Sequence, residues 1–409
     1  MKKESTESKT GGLEKIKCFS GGGNFNSLNF YNKISVAHLD EMIDGLCEWF
    51  LSRQNTCPAS PDGWFGKYGT DTIARGVAMD KMVPLRQFYV IVGIIKTALK
   101  TGKKDWLAAC ARALKASLDN YGDINILDYH AAYKLLYLRR LDVITWDKQK
   151  EDFILRIIDF LIQNVSTKYT FPHHVGTDPS KSHGNGALNH PAGTPTGIAR
   201  LFFEWRNYLE GGLKEKYYSK ITEIAEKSLQ KDISAQKTSG GFPYNFNPDS
   251  SPHLIYHMST TRTLSEIYYN YQFDIALKEK IAAALIKALD YIKSPCIKAD
   301  GTFDIEKYDQ SLASYFTTTY SGGIMSLTLA AKIFTEHDYG KFVDRLIEKL
   351  YTCYNPTLKS LSEQVELVET PYHKEVLKLK DFSQPRWNSY PINAQALFEL
   401  SFARDFMGT

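Results

Sequence analysis

From Ser35 onward apolar residues return every three or four positions, the spacing that lines one face of a helix. Leu39, Met42, Ile43, Leu46 and Phe50 form the first such stripe, and Ser35 stands where an N-cap is expected. The segment 83–100 is apolar on nearly every side, which predicts a helix with neighbours all round it. The same spacing predicts helices over 105–118, 126–139, 147–162, 196–209, 214–229, 255–271, 276–292, 312–334, 339–354 and 391–406. β-Branched runs are short and rarely alternate, so strands are expected to be few.

The connections between these segments are of two kinds. Some are short turns, such as Thr101-Gly102-Lys103 and Glu210-Gly211-Gly212. Others are long and rich in glycine, proline and aromatics: 55–82, 166–195, 237–254, 294–311 and 355–390. Long loops in a compact domain usually carry function. Three of them share a pattern, namely Gln54…Asp62-Gly63-Trp64-Phe65-Gly66, Gln236…Gly240-Gly241-Phe242-Pro243-Tyr244 and Asp300-Gly301-Thr302-Phe303. Glycine permits a positive-φ turn at a helix exit, and the aromatic after it can plug the gap between hairpins. The expected fold is therefore all-α, an (α/α)6-7 toroid of helical hairpins with its long loops on one face. Residues 1–35 are expected to form a flexible N-terminal tail and residues 36–409 a single toroidal catalytic domain. A superhelical stack of helix pairs would show a more regular repeat length than these loops do.

Composition narrows the function classes. A net charge of +4 over 409 residues leaves no basic footprint for nucleic acid. No run approaches the roughly 18 apolar residues of a membrane span. The start, Met1-Lys2-Lys3-Glu4-Ser5, lacks an apolar signal core, and the six cysteines are dispersed, so a reducing, cytoplasmic setting is expected. No phosphate loop, dinucleotide fingerprint or nucleophile elbow occurs, and no cofactor is expected.

Candidate chemistry lies in two places. Four of the ten histidines, His173, His174, His183 and His190, fall within one loop beside Asn185 and Asn189. Histidine exchanges protons near neutral pH, and asparagine can donate to a developing oxyanion. The histidines have no HExxH or HxxxH spacing, so no metal is expected. The second place is Tyr256-His257-Met258-Ser259-Thr260-Thr261-Arg262, just after the Gly241-Phe242 loop and in the first turns of a helix. Arg262 lies five residues beyond His257 and so faces elsewhere on the helix. Trp64 in the first long loop and Arg386-Trp387 in the last join an aromatic platform to an arginine fork, a pairing suited to an acidic sugar. Asp128-Tyr129-His130 opens a helix, where Asp128 can serve as a cap.

With those loops in view, residues 36–408 resemble the α/α-toroid enzymes, which include terpenoid cyclases, protein prenyltransferase β subunits, lanthionine cyclases and several polysaccharide lyases and epimerases. The Asp-x-Asp-Asp of polyene cyclases, the Asp-x-Cys zinc half-site of prenyltransferases and the Cys-His-Gly of lanthionine cyclases are absent. The resemblance implies the fold and leaves the chemistry to the residues. These point to an enzyme on an acidic saccharide, a uronate lyase or epimerase acting on an oligosaccharide. Tyr256, His257 and His190 would transfer protons, while His174, His183, Asn189, Arg262, Trp64, Arg386 and Trp387 would bind substrate. An isoprenoid cyclase or prenyltransferase with an aromatic-lined cavity is the alternative, and a non-catalytic toroidal binding protein the third.

Overall fold

The computed structural model describes residues 31–55, 61–66, 83–172, 193–247, 249–250, 254–293, 317–362 and 390–407, together with residues 252, 297, 299–301 and 303. Twelve α-helices occur among them: α1 Lys33–Leu51, α2 Val83–Thr101, α3 Lys104–Asp119, α4 Tyr129–Arg140, α5 Lys148–Asn164 and α6 Thr194–Trp205, then α7 Gly211–Ala235, α8 Leu254–Asn270, α9 Ile275–Lys293, α10 Thr317–Ile333, α11 Gly340–Tyr351 and α12 Tyr390–Arg404. A short antiparallel hairpin, β1 Tyr354–Asn355 and β2 Ser360–Leu361, begins the last long connection. The cap of α1 differs from the sequence expectation. Asn32 accepts the Ile34 amide at 3.0 Å, and Ser35 is buried inside the first turn.

The even-numbered helices form an inner ring in which α2, α4, α6, α8, α10 and α12 pack in succession and α12 closes back onto α2. The odd-numbered helices lie outside, and α1 meets α11 at the same seam. Composition explains the sorting. Every residue of α6 is buried, as are Thr317 to Ala330 of α10, which suits helices enclosed on all sides. By contrast, α11 buries Phe342, Val343, Leu346, Ile347 and Leu350, a single stripe. The described helices thus make six hairpins in a closed α/α toroid.

The two kinds of connection map onto the two faces. Each short turn runs from an inner helix to the next outer one, and each long loop from an outer helix to the next inner one. The long loops therefore gather at the end where the inner helices begin, the mouth of the toroid. Only the second outer-to-inner connection, 120–128, is brief, and there Asn125 and Asp128 make a capping box that Tyr121 completes through a 2.6 Å bond to Asp128.

The repeated loop pattern is a seat on the neighbouring outer helix. Gln54 donates to the carbonyls of Gly63 (2.8 Å) and Ala109 (2.9 Å), and Gln236 donates to those of Gly240 and Ala284, both at 2.8 Å. The glycines sit at φ +100° and +95° against the backbone carbonyls of Arg112 and Lys287. Gly301, at φ +83°, repeats the arrangement against Arg345. A Cβ at Gly240 would collide with rigid helix backbone in addition to the left-handed penalty. Gly240→Ala is expected to lower stability by at least about 2 kcal/mol. Gly102→Ala, also at positive φ but facing open space, should cost about 1 kcal/mol. Urea midpoints of the two variants would separate crowding from backbone strain, and equal losses would refute the seat.

Candidate active site

The inner helices carry charged groups where an enclosed helix should be apolar, and these converge on the toroid axis. Arg200 of α6 donates from Nη1 to Glu266 Oε1 of α8 at 2.7 Å, and its guanidinium lies 3.8 Å from the ring centre of Tyr133 of α4. The Tyr133 hydroxyl donates to the other Glu266 oxygen at 2.9 Å. Arg262, one turn before Glu266, directs Nη1 to Glu399 of α12 and holds Nε 3.8 Å from Glu266. Glu399 also accepts from Ser321 of α10 at 2.5 Å and from Gln395 at 2.9 Å. Gln395 in turn accepts from Arg86 of α2 at 3.1 Å. A polar network thus links all six inner helices, α4 through the Tyr133 hydroxyl and α10 through Ser321.

Burial sets the electrostatics. Arg200, Arg262, Glu266, Glu399 and Lys134 are all but fully enclosed, whereas Arg86, His130 and Gln395, nearer the mouth, keep part of their surface exposed. Three guanidiniums face two carboxylates, so a positive charge is left over before Lys134 is counted. Among the described residues, Arg200 Nε and Nη2, Arg262 Nε, Arg86 Nε, His130 Nδ1 and Lys134 Nζ have no hydrogen-bond partner. Unpaired buried donors of this kind are costly and mark sites built for something other than stability. Burial pushes the Glu399 carboxyl up, against the pull of Arg262. Burial, then Arg200 and Arg262, hold the Lys134 amine well below the lysine range, with Glu266 opposing. Burial and the adjacent Lys134 push the His130 imidazole well down. Lys134 Nζ lies 3.2 Å from the Tyr89 ring centre and 4.4 Å from that of Phe398. Those faces favour an ammonium by about 1–2 kcal/mol. Burying an unpaired charge costs several kcal/mol more, so burial outweighs the ring faces and holds the amine low.

The residues singled out from sequence part company here. His257 is fully buried, and it turns away from the axis toward outer helix α9. The Phe242 amide donates to its Nδ1 at 3.0 Å, so Nε2 carries the proton and meets the Ala288 carbonyl at 3.1 Å. With both nitrogens held by backbone, the ring anchors the Gly241-Phe242 loop and has no lone pair for substrate. The other repeats confirm the slot: the Phe65 amide donates to Gln87 of α2 at 3.1 Å, and the Phe303 amide to the Tyr320 hydroxyl of α10 at 3.2 Å. Tyr256, in the first turn of α8, shares a hydrogen bond with Tyr244, and burial raises its hydroxyl. Arg262 does reach the axis, but its Nη1 is committed to Glu399. Trp64 is buried beside Ala116 of outer helix α3, which corrects its expected role as an open platform. His174, His183, Asn189, His190, Arg386 and Trp387 lie outside the described residues. The loop bearing the histidines re-enters at Gly193, which packs on Thr260 of α8, while Asp232 of α7 accepts the amides of Gly193 (3.0 Å) and Thr196 (2.8 Å). That loop therefore ends at the mouth, against the first turns of α8.

Sequence reading missed Arg86, His130 as a site residue, Lys134, Arg200, Glu266 and Glu399. One signal was available: Lys134 within Ala131-Ala132-Tyr133-Lys134-Leu135-Leu136 and Arg200 within Gly197-Ile198-Ala199-Arg200-Leu201-Phe202 have no polar face to belong to.

With the geometry described, the chain can be set beside solved structures. It superposes on an unsaturated glucuronyl hydrolase specific for heparin with a TM-score of 0.62 at 11% identity, over 90% of this chain and 97% of that one. What the two chains share is the α/α-toroid fold. A cellobiose 2-epimerase from Spirochaeta thermophila DSM 6192 matches this toroid with a TM-score of 0.59 at 13% identity, over 91% and 97% of the two chains. A polysaccharide lyase matches with 0.55 at 11%, over 91% and 98%. No protein-family model matches the sequence, and no curated protein does. Among the described residues no helix is long and apolar enough to cross a membrane.

Proposed function

We propose that this toroid is an enzyme acting on an acidic saccharide, removing the proton beside the sugar carboxylate and so leading to elimination or epimerisation. The observation that carries the reading is the surplus of buried guanidinium at the axis, where Arg200 keeps Nε and Nη2 free of partners. An uncompensated cation in a low-dielectric interior attracts a carboxylate far more strongly than one at the surface. Once bound, the carboxylate must accept the electron pair released from the neighbouring carbon, and guanidinium donors stabilise that charge. The mouth loops would supply the remaining contacts: His174, His183, Asn189 and His190 from one, Arg386 and Trp387 from another. The same positive interior disfavours an isoprenoid carbocation, which aromatic walls without nearby cations would stabilise. The structural neighbours, a glucuronyl hydrolase and a polysaccharide lyase among them, lend support at the level of substrate class.

The test is a panel of uronate oligosaccharides, followed by absorbance of an unsaturated product and by NMR for an inverted centre. Arg200→Lys is expected to reduce turnover by about 10²-fold or more, since a planar, two-pronged donor is replaced by a point charge. Turnover of a prenyl diphosphate, or of neutral glycosides alone, would sink the proposal.

A further inference from the structure

Two lysines are buried among the described residues, and they differ sharply. Lys96, at the closed end of the toroid, is engaged by the Tyr137 hydroxyl at 3.0 Å and by the Asp405 carboxylate. Lys134 has no exposed surface, and its Nζ has no hydrogen-bond partner, only the ring faces of Tyr89 and Phe398. It stands one helical turn deeper than His130 on the same face of α4, and His130 as a residue keeps part of its surface exposed. Every neighbouring inner helix presents its polar groups here: Arg86 and Tyr89 from α2, Arg200 from α6, Arg262 and Glu266 from α8, Glu399 from α12. The two carboxylates are committed to the arginines, so none of them pairs with the amine. A long, flexible side chain that is kept buried without a hydrogen-bond partner at the centre of an ion network calls for a use.

We propose that Lys134 is the base that takes the proton from the carbon beside the bound sugar's carboxylate. The inference rests on the acidic-saccharide reading above. The steps balance without a co-reactant. The Nζ lone pair takes the proton, and the C–H electron pair moves into the carboxylate, where the Arg200 and Arg262 guanidiniums face it. In elimination that pair returns to form the C=C bond as the adjacent C–O bond breaks, and the Nζ proton passes to the departing oxygen. In epimerisation the carbon is reprotonated from the other face by water, and the ammonium returns its proton to solvent. Burial beside guanidiniums lowers a lysine and so favours its use as a base near neutral pH. His130 Nδ1, one turn nearer the mouth, is likewise enclosed without a hydrogen-bond partner.

Lys134→Met, nearly equal in shape, tests this with three readouts on the uronate that wild type turns over. Turnover should fall by about 10²–10⁴-fold, substrate affinity by calorimetry should change less than about tenfold, and the melting temperature should hold or rise. Added methylamine should restore part of the rate in proportion to its concentration. A variant that keeps its rate within threefold overturns the assignment. So does one that loses affinity and rate together, which would make Lys134 a carboxylate seat, or one whose rate loss follows a drop in melting temperature. If wild type itself turns over no uronate, the acidic-saccharide reading fails, and this assignment falls with it.

Discussion

Truncating Glu266 to alanine is expected to destabilise the fold by about 3–5 kcal/mol, the cost of leaving a buried charge without its partner. Glu266 receives Arg200 on one oxygen and Tyr133 on the other, and Arg262 Nε lies 3.8 Å away. Without it two guanidiniums would confront each other across the axis with only Glu399 to offset them. The loss should appear in equilibrium urea unfolding as a lower midpoint at unchanged slope. Glu266→Gln keeps an acceptor for Arg200 and should fall between wild type and the alanine variant. If Glu266→Ala lost less than about 1 kcal/mol, the interior would be compensated by solvent, and the argument for a surplus positive charge would collapse with it.

The second large effect concerns His257. Alanine there should cost about 2–4 kcal/mol, because the Phe242 amide and the Ala288 carbonyl both lose a buried partner. Glutamine should be far milder, since Gln87 already fills the same slot in the first repeat. The pH dependence has a definite sign. Burial pushes the His257 imidazole down from 6.5 to about 4, so between those values the unfolded chain binds the proton and the folded one does not. The stability His257 supports is complete above pH 6.5 and is lost as pH falls to 4, an amount of about 3 kcal/mol from the linkage of one pKa unit to 1.36 kcal/mol. Asp128 and Asp232 run the other way, since burial raises them to about 7 and about 6, so stability falls as pH rises through their windows. Unfolding curves of wild type and His257→Gln across pH 4–7 isolate the histidine by difference. A difference that does not change with pH would mean that His257 is not neutral in the fold.

The helices and the alternation of connections could be read from sequence because both are local. Apolar spacing within 39–50 needs no knowledge of distant residues, and the glycine–aromatic loops announce the outer-to-inner crossings. The site was harder for two physical reasons. First, Arg200, Glu266 and Glu399 look like solvated residues until their helices are known to be enclosed, and their partners lie 66 and 137 positions away along the chain for Arg200–Glu266 and Arg262–Glu399. Second, the Tyr256-His257 pair carries residue types suited to catalysis, yet His257 occupies an architectural slot. Comparing the residue that follows each loop, Gln87, His257 and Tyr320, exposes the slot, because side chains of unrelated chemistry meet the same amide. Of the basic residues behind the acidic-substrate expectation, Arg262 is brought to the axis, where it meets Arg86, Arg200 and Lys134, which the sequence reading had passed over.

The strict alternation of inner and outer helices has a consequence independent of any side chain. All six inner helices begin at the mouth and all six outer helices end there. Each peptide dipole points the same way along its helix, leaving about half a positive charge at a helix start and half a negative charge at a helix end. The mouth is therefore a target with a positive bull's-eye and a negative surround, drawn in backbone alone. An anion wandering over that face is turned away at the perimeter and welcomed at the centre, so the backbone alone steers negative charge toward the axis before a single arginine touches it.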